Sequence, residues 1–234
     1  MAIDDLEHAR ARVLSRAHAG SPLFEGPLAA GRLSAARVGR LIAIEGIDGA
    51  GKTTLARGLV EAMPELVVLR EPGGAEVSER IRALVADPAL DVDPRAEALL
   101  FAAARAQLVA EVMRPLLDAG RWVVLDRFVD SSLAYQGAGR GLGVAEVAAV
   151  NAFATGGLLA DLTLYVRVEP SVGAGRLSAG LDRIEQAGEA FFGAVVEAYD
   201  TLAAAAPERY VVLDGAAAPE SVLSDALAAL KRLQ

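Results

Sequence analysis

The sequence predicts an α/β fold in which a parallel sheet of about five strands is flanked by helices. Five short runs rich in leucine and β-branched residues recur along the chain, separated by longer alanine-rich stretches of helical length. The runs are continuously apolar, which indicates strands buried on both faces, and right-handed crossover helices would supply that cover. The five runs span residues 41–44, 66–69, 122–125, 162–166 and 210–213.

The composition agrees with this fold and excludes several classes of protein. Of the 234 residues, 53% are hydrophobic but only 5% are aromatic, so aliphatic side chains must build the core. The 23 basic and 31 acidic residues leave a net charge of −8, which argues against a nucleic-acid partner. No apolar run is long enough to span a membrane, so we expect no membrane partner.

The chemistry open to the chain is also limited by its cysteine and histidine content. It contains no cysteine, which excludes disulfides and thiolate chemistry and suits a cytoplasmic location. Both histidines, His8 and His18, fall near the N-terminus. Hydrolases built on a histidine triad or on histidine zinc ligands are therefore not expected.

Residues 1–39 differ from the rest of the chain and are interpreted as an N-terminal extension, with the main domain spanning residues 40–234. A charged stretch of helical pattern, residues 4–18, is followed by a segment rich in proline and glycine. Two interpretations stay open: an amphipathic helix that docks on the domain, and a mobile tail.

Charged residues directly follow the predicted strands, and four of them are singled out. They are Glu45, Arg70, Asp126 and Asp214. In a parallel sheet, ligands bind beyond the carboxyl ends of the strands. The first three are therefore candidate site residues.

A phosphate-binding loop follows the first strand. Residues 46–53 match G-x-x-x-x-G-K-[ST] at every fixed position. The glycines let backbone N–H groups point at phosphate oxygens, and the next helix adds its positive N-terminal end. We expect Lys52 to be exposed to ligand and to reach the β- and γ-phosphates, and Thr53 to bind Mg²⁺. The predicted nucleotide-binding residues are Gly46, Ile47, Asp48, Gly49, Ala50, Gly51, Lys52, Thr53 and Thr54.

The loop alone does not say whether the nucleotide is a switch, a fuel or a substrate. The sequence has no Asn/Thr-Lys-x-Asp motif of the kind that reads a guanine base. The chain also leaves little room for the further segments of a motor or transporter. A small-molecule kinase remains.

Three further segments carry a resemblance to one family of kinases. They are residues 70–74 (Arg-Glu-Pro-Gly-Gly), 126–137 (Asp-Arg-Phe, then Ser-Leu-Ala-Tyr-Gln-Gly) and 181–185 (Leu-Asp-Arg-Ile-Glu). Together with the phosphate loop, they make residues 40–234 closely similar to thymidylate kinases. The resemblance implies a three-layer P-loop kinase fold that transfers phosphate from ATP to dTMP, with Mg²⁺ and as a homodimer.

The resemblance also implies which residues bind the acceptor. Phe101 stacks on the thymine, and Arg105, four residues later on the same helix face, donates to a base carbonyl. Tyr135 crowds the 2′ position of the sugar. The full set of implied substrate residues is Arg82, Phe101, Arg105, Arg127, Ser132, Tyr135 and Gln136.

The implied catalytic residues are Lys52, Arg127, Asp48, Arg176 and Arg183, and Asp126 joins Thr53 as a metal ligand. Relatives with glycine rather than arginine at position 49 supply arginines from a lid, here residues 170–185. This lid holds only Arg176 and Arg183. A catalytically weakened, nucleotide-binding regulatory relative is therefore the alternative function.

Overall fold

Each of the five apolar runs forms a strand of one parallel sheet in the computed structural model, which describes residues 39–177 and 182–233. The strand order is β2-β3-β1-β4-β5. Ile44 is paired with Asp126 on one side and Leu164 on the other, so these carboxyl ends lie together. The predicted parallel α/β fold is confirmed. The strands are β1 Leu41–Glu45, β2 Val67–Arg70, β3 Val123–Asp126, β4 Leu162–Arg167 and β5 Tyr210–Asp214.

Helices connect the strands in the described ranges, and none of them is long and apolar enough to cross a membrane. π-helical turns at Val109–Met113 and Leu133–Gly139 follow the third and fifth helices, and a 3₁₀ turn covers Glu185–Ala187. The helices are α1 Lys52–Ala62, α2 Glu76–Ala86, α3 Pro94–Leu108, α4 Arg114–Asp118, α5 Val129–Ser132, α6 Val144–Thr155, α7 Pro170–Arg176, α8 Glu189–Ala205 and α9 Pro219–Lys231.

Two hydrophobic clusters cover the two faces of the sheet, as the continuous apolar runs predicted. Ile42 and Ile44 of β1 point into one cluster, and Leu41 and Ala43 point into the other. The edge strands depart from this pattern, since Val212 of β5 is 53% exposed. An edge strand has a neighbour on one side only, so its faces are less completely covered.

Helix α3, which carries two of the predicted substrate residues, begins at a capping sequence, Asp93-Pro94. The Asp93 side chain accepts hydrogen bonds from the backbone N–H of Arg95, at 2.8 Å, and of Ala96. Pro94 occupies the first helical position, where its missing N–H costs nothing. This cap sets the position from which Phe101 and Arg105 extend.

The predicted N-terminal extension, residues 1–39, lies outside the described residues except for Gly39. Part of the predicted lid, residues 178–181, also lies outside them. The rest of the lid comprises α7, the residue after it and residues 182–185.

Candidate active site

The phosphate loop lies between β1 and α1, in the strand-loop-helix context that the motif requires. Gly51 adopts a left-handed conformation, with φ of 103°, directly before the helix begins at Lys52. The Lys52 ammonium donates to the carbonyl of Ile47 at 2.8 Å and lies 3.8 Å from an oxygen of Asp48. The loop thus encloses its own cation.

Lys52 is buried rather than exposed as expected, with 6% of its surface accessible. The ammonium folds back onto the loop carbonyl instead of extending outward. Burial and the neighbouring positive charge of Arg127 lower the pKa of Lys52 to about 8. An anionic phosphate would favour the charged form, so nucleotide binding and protonation of Lys52 reinforce each other.

A cavity of about 1080 Å³ opens in front of the phosphate loop. Residues 48–56 line it, together with the ends of β2 and β3. Gly46 and Ile47, which the motif included, do not line it; their carbonyls instead accept bonds from Arg127 and Lys52. The cavity is large enough for a nucleoside triphosphate.

A second, smaller cavity of about 120 Å³ adjoins the first. The two cavities share Asp48, Glu71, Arg82 and Arg127. The structure brings all of the predicted substrate residues to the smaller cavity, although they come from α2, α3 and the segment after β3. These residues are Arg82, Phe101, Arg105, Arg127, Ser132, Tyr135 and Gln136.

Arg127 and Asp48 lie at the junction of the two cavities. Arg127 donates to Asp48 at 2.5 Å and to the carbonyl of Gly46 at 2.9 Å, and its guanidinium lies 5.0 Å from the centre of the Tyr135 ring. Although burial by itself raises the pKa of Asp48, the charges of Arg127 and Lys52 lower it to about 2. Asp48 is therefore a carboxylate that aligns both cations.

The backbone of Arg127 is left-handed, with φ of 69°, which is strained for a residue with a long side chain. Glu45, at the end of β1, holds the segment that follows. It accepts hydrogen bonds from the N–H of Phe128 at 2.8 Å and from the hydroxyls of Ser131 and Tyr199 at 2.6 and 2.7 Å. Of the three strand-end candidates, Arg70 and Asp126 line the large cavity, whereas Glu45 is buried beneath the site and lines neither cavity.

Glu45 is expected to make stability depend on pH. Burial and the charge of Asp130 raise the pKa of Glu45 to about 7, so the folded protein binds this proton more tightly than the unfolded chain. The stabilisation is complete below the unfolded pKa and is lost as pH rises through about 7, by about 3 kcal/mol. Glu45→Gln mimics the protonated acid and should remove this loss.

The measurement is urea unfolding of both proteins between about pH 5 and pH 8. Asp200→Asn, which changes a carboxylate paired with Arg167 at the protein surface, is the matched control. Parallel pH profiles for the wild type and Glu45→Gln would contradict the assignment.

Arg105 is buried and already bonded to protein on all sides. It donates to Glu71 at 2.6 Å, to the Ser132 hydroxyl at 2.9 Å, to the Phe128 carbonyl at 2.9 Å and to Asn151. A base carbonyl could accept from Arg105 only by sharing an N–H group that already donates to one of these protein acceptors. Phe101 is half-buried and lines the small cavity, where a stacking role is open to it.

Arg105→Ala should weaken dTMP binding more than ATP binding and should also destabilise the fold. Glu71 has a side chain 3% exposed and would lose its cation, a loss that costs about 3–5 kcal/mol. Calorimetric affinities, measured well below the melting temperature, separate the two effects. The matched control is Arg209→Ala, which breaks a buried pair with Asp130 away from both cavities. Equal losses of dTMP and ATP affinity would make Arg105 purely structural.

Three further predicted substrate side chains have partners within the site. Ser132 accepts the bond from Arg105, the Tyr135 hydroxyl donates to Asp48 at 3.3 Å, and the Gln136 amide donates to Glu97 at 2.9 Å. Tyr135 and Gln136 belong to the π-helical turn Leu133–Gly139. Such turns re-aim side chains and are frequent at functional sites.

The two lid arginines occupy different places. Arg176, at the end of α7, donates to the carbonyls of Gly215 at 2.9 Å and Gly49 at 3.3 Å and lines the large cavity. Arg183 lines neither cavity; its guanidinium binds Glu97 at 2.6 Å and the Val85 carbonyl at 3.0 Å. The structure therefore brings Arg176 to the phosphate loop but not Arg183.

Glycine at position 49 follows from how closely α7 approaches the phosphate loop. Gly49 has φ of 76°, and a Cβ there would lie 2.2 Å from the carbonyl oxygen of Gly173. No side chain fits at that distance. Position 49 of the loop therefore contributes no arginine, and the arginine that lies beside it is Arg176 of α7.

Three site residues were missed by sequence reasoning: Glu71, Glu97 and Asn151. Glu71 belongs to the Arg-Glu-Pro-Gly-Gly motif, but no role of its own was expected for it. Glu97 has the sequence context of any acidic residue in the first turn of a helix, where it favours the helix dipole. Asn151 lies on α6, far along the chain from Arg105. The one sequence signal for Asn151 is that it stands between valine and alanine on an apolar helix, which indicates a buried polar side chain that needs a partner.

Asp126 and Thr53 fit the predicted metal site. The Thr53 hydroxyl lies 3.5 Å from one oxygen of Asp126, and the other oxygen is buried with no hydrogen-bond partner in the described ranges. Within residues 39–177 and 182–233 no group of three or more acidic, histidine or cysteine side chains could hold an ion alone. The donors suit Mg²⁺ bound through one carboxylate, one hydroxyl and substrate phosphates.

A phosphate loop in a cavity of nucleotide size, joined at an arginine to a second cavity, defines a P-loop phosphotransferase with separate donor and acceptor sites. Comparisons with known proteins make the class more specific. The family model for thymidylate kinase matches residues 44–226. The chain belongs to the thymidylate kinase family, which confirms the resemblance seen in the sequence.

Individual relatives support the same family assignment. The chain is 47% identical over 186 residues to a thymidylate kinase of Lactobacillus delbrueckii subsp. bulgaricus, covering 75% of this chain and 88% of that protein. It is 49% identical over 185 residues to one of Pseudomonas fluorescens, covering 76% and 88%. A crystal structure of thymidylate kinase from Ehrlichia chaffeensis superposes with a TM-score of 0.67 at 28% identity, covering 82% of this chain and 98% of that one.

Proposed function

We propose that this protein transfers the γ-phosphoryl group of ATP to dTMP, giving dTDP and ADP. The observation that carries the proposal is the meeting of two cavities at Arg127, the larger built on the phosphate loop and the smaller lined by every predicted substrate residue. ATP fits the first and dTMP the second. Family membership supports the same reaction.

In the proposed mechanism, a phosphate oxygen of dTMP attacks the γ-phosphorus directly. This oxygen is already ionised, so no general base is needed. Catalysis consists of positioning and charge stabilisation. Lys52 contacts the phosphates of ATP, Arg127 binds the acceptor phosphate from the junction, and Arg176 approaches the phosphate loop from α7.

We propose Mg²⁺ as the metal, held by Thr53 and Asp126. When bound, it would neutralise charge on the ATP phosphates during transfer. Arg82, which donates to the Pro72 carbonyl at 3.0 Å and lines both cavities, adds a second cation near the acceptor phosphate.

An assay of ADP release against dTMP, dUMP, dCMP, dGMP and CMP tests the proposal. Turnover is expected with dTMP above all other acceptors. Silence with every acceptor, despite measurable ATP binding, would favour the regulatory alternative. The place of Arg176 beside the phosphate loop supports the kinase rather than this alternative, because it puts a lid cation at the site.

We further propose that the enzyme is a cytoplasmic homodimer. Helices α3 and α6 pack on each other, and each leaves a large apolar side chain exposed: Leu99 at 58% and Phe153 at 91%. Contiguous exposed apolar surface is characteristic of protein interfaces, and these two helices supply its candidate residues. Light scattering tests the assembly, and Phe153→Asp is expected to yield monomers.

Deletion of residues 1–36 is expected to preserve kcat and both KM values within a few-fold. The family match begins at residue 44, and both cavities are lined only by residues after Ile47. Steady-state kinetics of the deleted and full-length proteins make the measurement. Loss of solubility or activity would instead make the extension an integral layer of the domain.

A further inference from the structure

A buried carboxylate lies behind the acceptor cavity and is absent from the mechanism above. Glu97, in the first turn of α3, is fully buried. One of its oxygens, Oε1, accepts from the Gln136 amide at 2.9 Å and from Arg140 at 3.3 Å. The other, Oε2, accepts from Arg140 at 3.1 Å and lies 2.6 Å from a guanidinium nitrogen of Arg183, with which it forms an ion pair.

The two arginines keep Glu97 ionised. Burial by itself raises the pKa of Glu97, but the hydrogen bonds from Arg140, Gln136 and Arg183 outweigh it and lower the pKa below its usual range. An ionised carboxylate has no proton to donate. Every group that contacts Glu97 must therefore turn a donor toward it.

This requirement determines the orientation of the Gln136 amide. Of its two ends, only the NH₂ group can face Glu97, so the carbonyl oxygen Oε1 must point the other way. Gln136 is 2% exposed and lines the acceptor cavity. Among the described residues no group donates to its Oε1. The Gln136 carbonyl oxygen is therefore a hydrogen-bond acceptor directed into the cavity, and Glu97 determines its orientation from the opposite side.

We propose that Glu97 is a positioning residue for base specificity: by holding the NH₂ of Gln136, it directs the Gln136 carbonyl at the base and selects one that offers a ring N–H. Thymine offers this donor at N3, whereas cytosine has a lone pair there. The inference rests on the proposed function, since it assumes that the acceptor is a pyrimidine nucleotide.

The substitution Glu97→Gln should reverse this orientation with almost no change in volume. Two guanidinium nitrogens face the Oε2 position, at 3.1 Å from Arg140 and 2.6 Å from Arg183, whereas one longer contact of 3.3 Å joins Arg140 to Oε1, so the oxygen of the new amide would take the Oε2 position. Its NH₂ would then face Gln136. Gln136 would turn its own carbonyl toward residue 97 and present NH₂ to the cavity, which suits the lone pair of cytosine.

The experiment compares dTMP with 5-methyl-dCMP, which keeps the methyl group and sugar of dTMP and changes the hydrogen-bond pattern of the ring. Both kcat/KM, from ADP release, and Kd, from calorimetry, are measured. In Glu97→Gln the ratio of dTMP to 5-methyl-dCMP should fall by at least about tenfold, since a site built to hydrogen-bond one pattern rejects the other. In Glu97→Asp the side chain is still a carboxylate that only accepts hydrogen bonds, so the ratio of dTMP to 5-methyl-dCMP should stay at its wild-type value.

A double-mutant cycle separates positioning from general damage. With Gln136 replaced by Met there is no amide to turn, so adding Glu97→Gln should leave the ratio unchanged. The KM for ATP should stay within about twofold in all variants, because the cluster does not line the nucleotide cavity. Asp200→Asn, at an exposed ion pair, is the control for charge removal.

A second variant covers the case in which Glu97→Gln fails to fold, because it leaves two guanidinium groups without an anion. Combining it with Arg140→Gln restores the original net charge of the cluster and keeps Arg183 to hold the new amide oxygen. Arg140→Gln alone is its reference. The same fall in the ratio is expected.

Two results would overturn the inference while leaving the proposed function intact: an unchanged ratio in folded variants of Glu97, or equal losses for both nucleotides. If the wild type neither binds nor phosphorylates dTMP, the proposed function itself fails. The wild-type measurement therefore distinguishes the two failures.

Discussion

Replacing Lys52 with alanine is expected to lower kcat by at least about 10³-fold, because a phosphate clamp contributes several kcal/mol to stabilisation of the transition state. Lys52 is the only side-chain cation contributed by the loop sequence of residues 46–53. Its ammonium lies between the Ile47 carbonyl and Asp48, at the base of the large cavity.

The fold should tolerate this change even though Lys52 is buried. Removing the ammonium leaves Asp48 paired with Arg127, so no buried carboxylate is left unpaired. We expect near-wild-type circular dichroism and a melting temperature within a few degrees. Lys231→Ala, at the exposed end of α9, is the matched control from the other lysine of the chain. An unchanged rate in Lys52→Ala would refute the assignment of the phosphate loop.

Arg176→Ala is expected to lower kcat by about 10²–10³-fold with little change in the affinity for dTMP. An arginine delivered to a phosphoryl-transfer centre is worth about 10³–10⁵ where it has been dissected, and its effect appears mainly in the transition state. Arg176 lines the cavity in front of the phosphate loop, and Gly49 excludes an arginine from the loop itself.

The comparison that makes this prediction sharp is Arg183→Ala. From the sequence both lid arginines are expected to be catalytic, but Arg183 is bound to Glu97 and to the Val85 carbonyl. Its loss should therefore affect stability and the acceptor site more than kcat. Single-turnover rates, with calorimetric dTMP affinities, distinguish the two variants. A larger loss of kcat in Arg183→Ala would mean that residues 182–185 reach the phosphates during turnover.

The strands and the phosphate loop could be predicted from the chain because each depends on local patterns. The expected substrate residues came from the resemblance to the family, and all of them line the small cavity. Apolar runs report burial on both faces of a sheet, and the loop motif carries its own backbone geometry. Phe101 and Arg105 share a helix face by their spacing alone. All of these predictions concern residues close together in sequence or at strand ends.

The role of a charged residue at a strand end, either buried beneath the site or lining the cavity, could not be predicted from local patterns. Glu45 follows β1 just as Asp126 follows β3, yet Glu45 is enclosed by Ser131 and Tyr199 while Asp126 lines the cavity. Their sequence contexts are alike. The difference lies in which distant helix covers the strand end, and α8 covers that of β1.

The amino-acid sequence by itself determined the α/β sheet, the nucleotide loop and the family, since these follow from periodicity and contiguous motifs. Only the tertiary structure decided that Arg176 rather than Arg183 approaches the phosphate loop, and that Glu97 lies behind Gln136. The physical reason is that a charged side chain takes its role from the partners that desolvate and neutralise it. Those partners come from elements far apart in the chain.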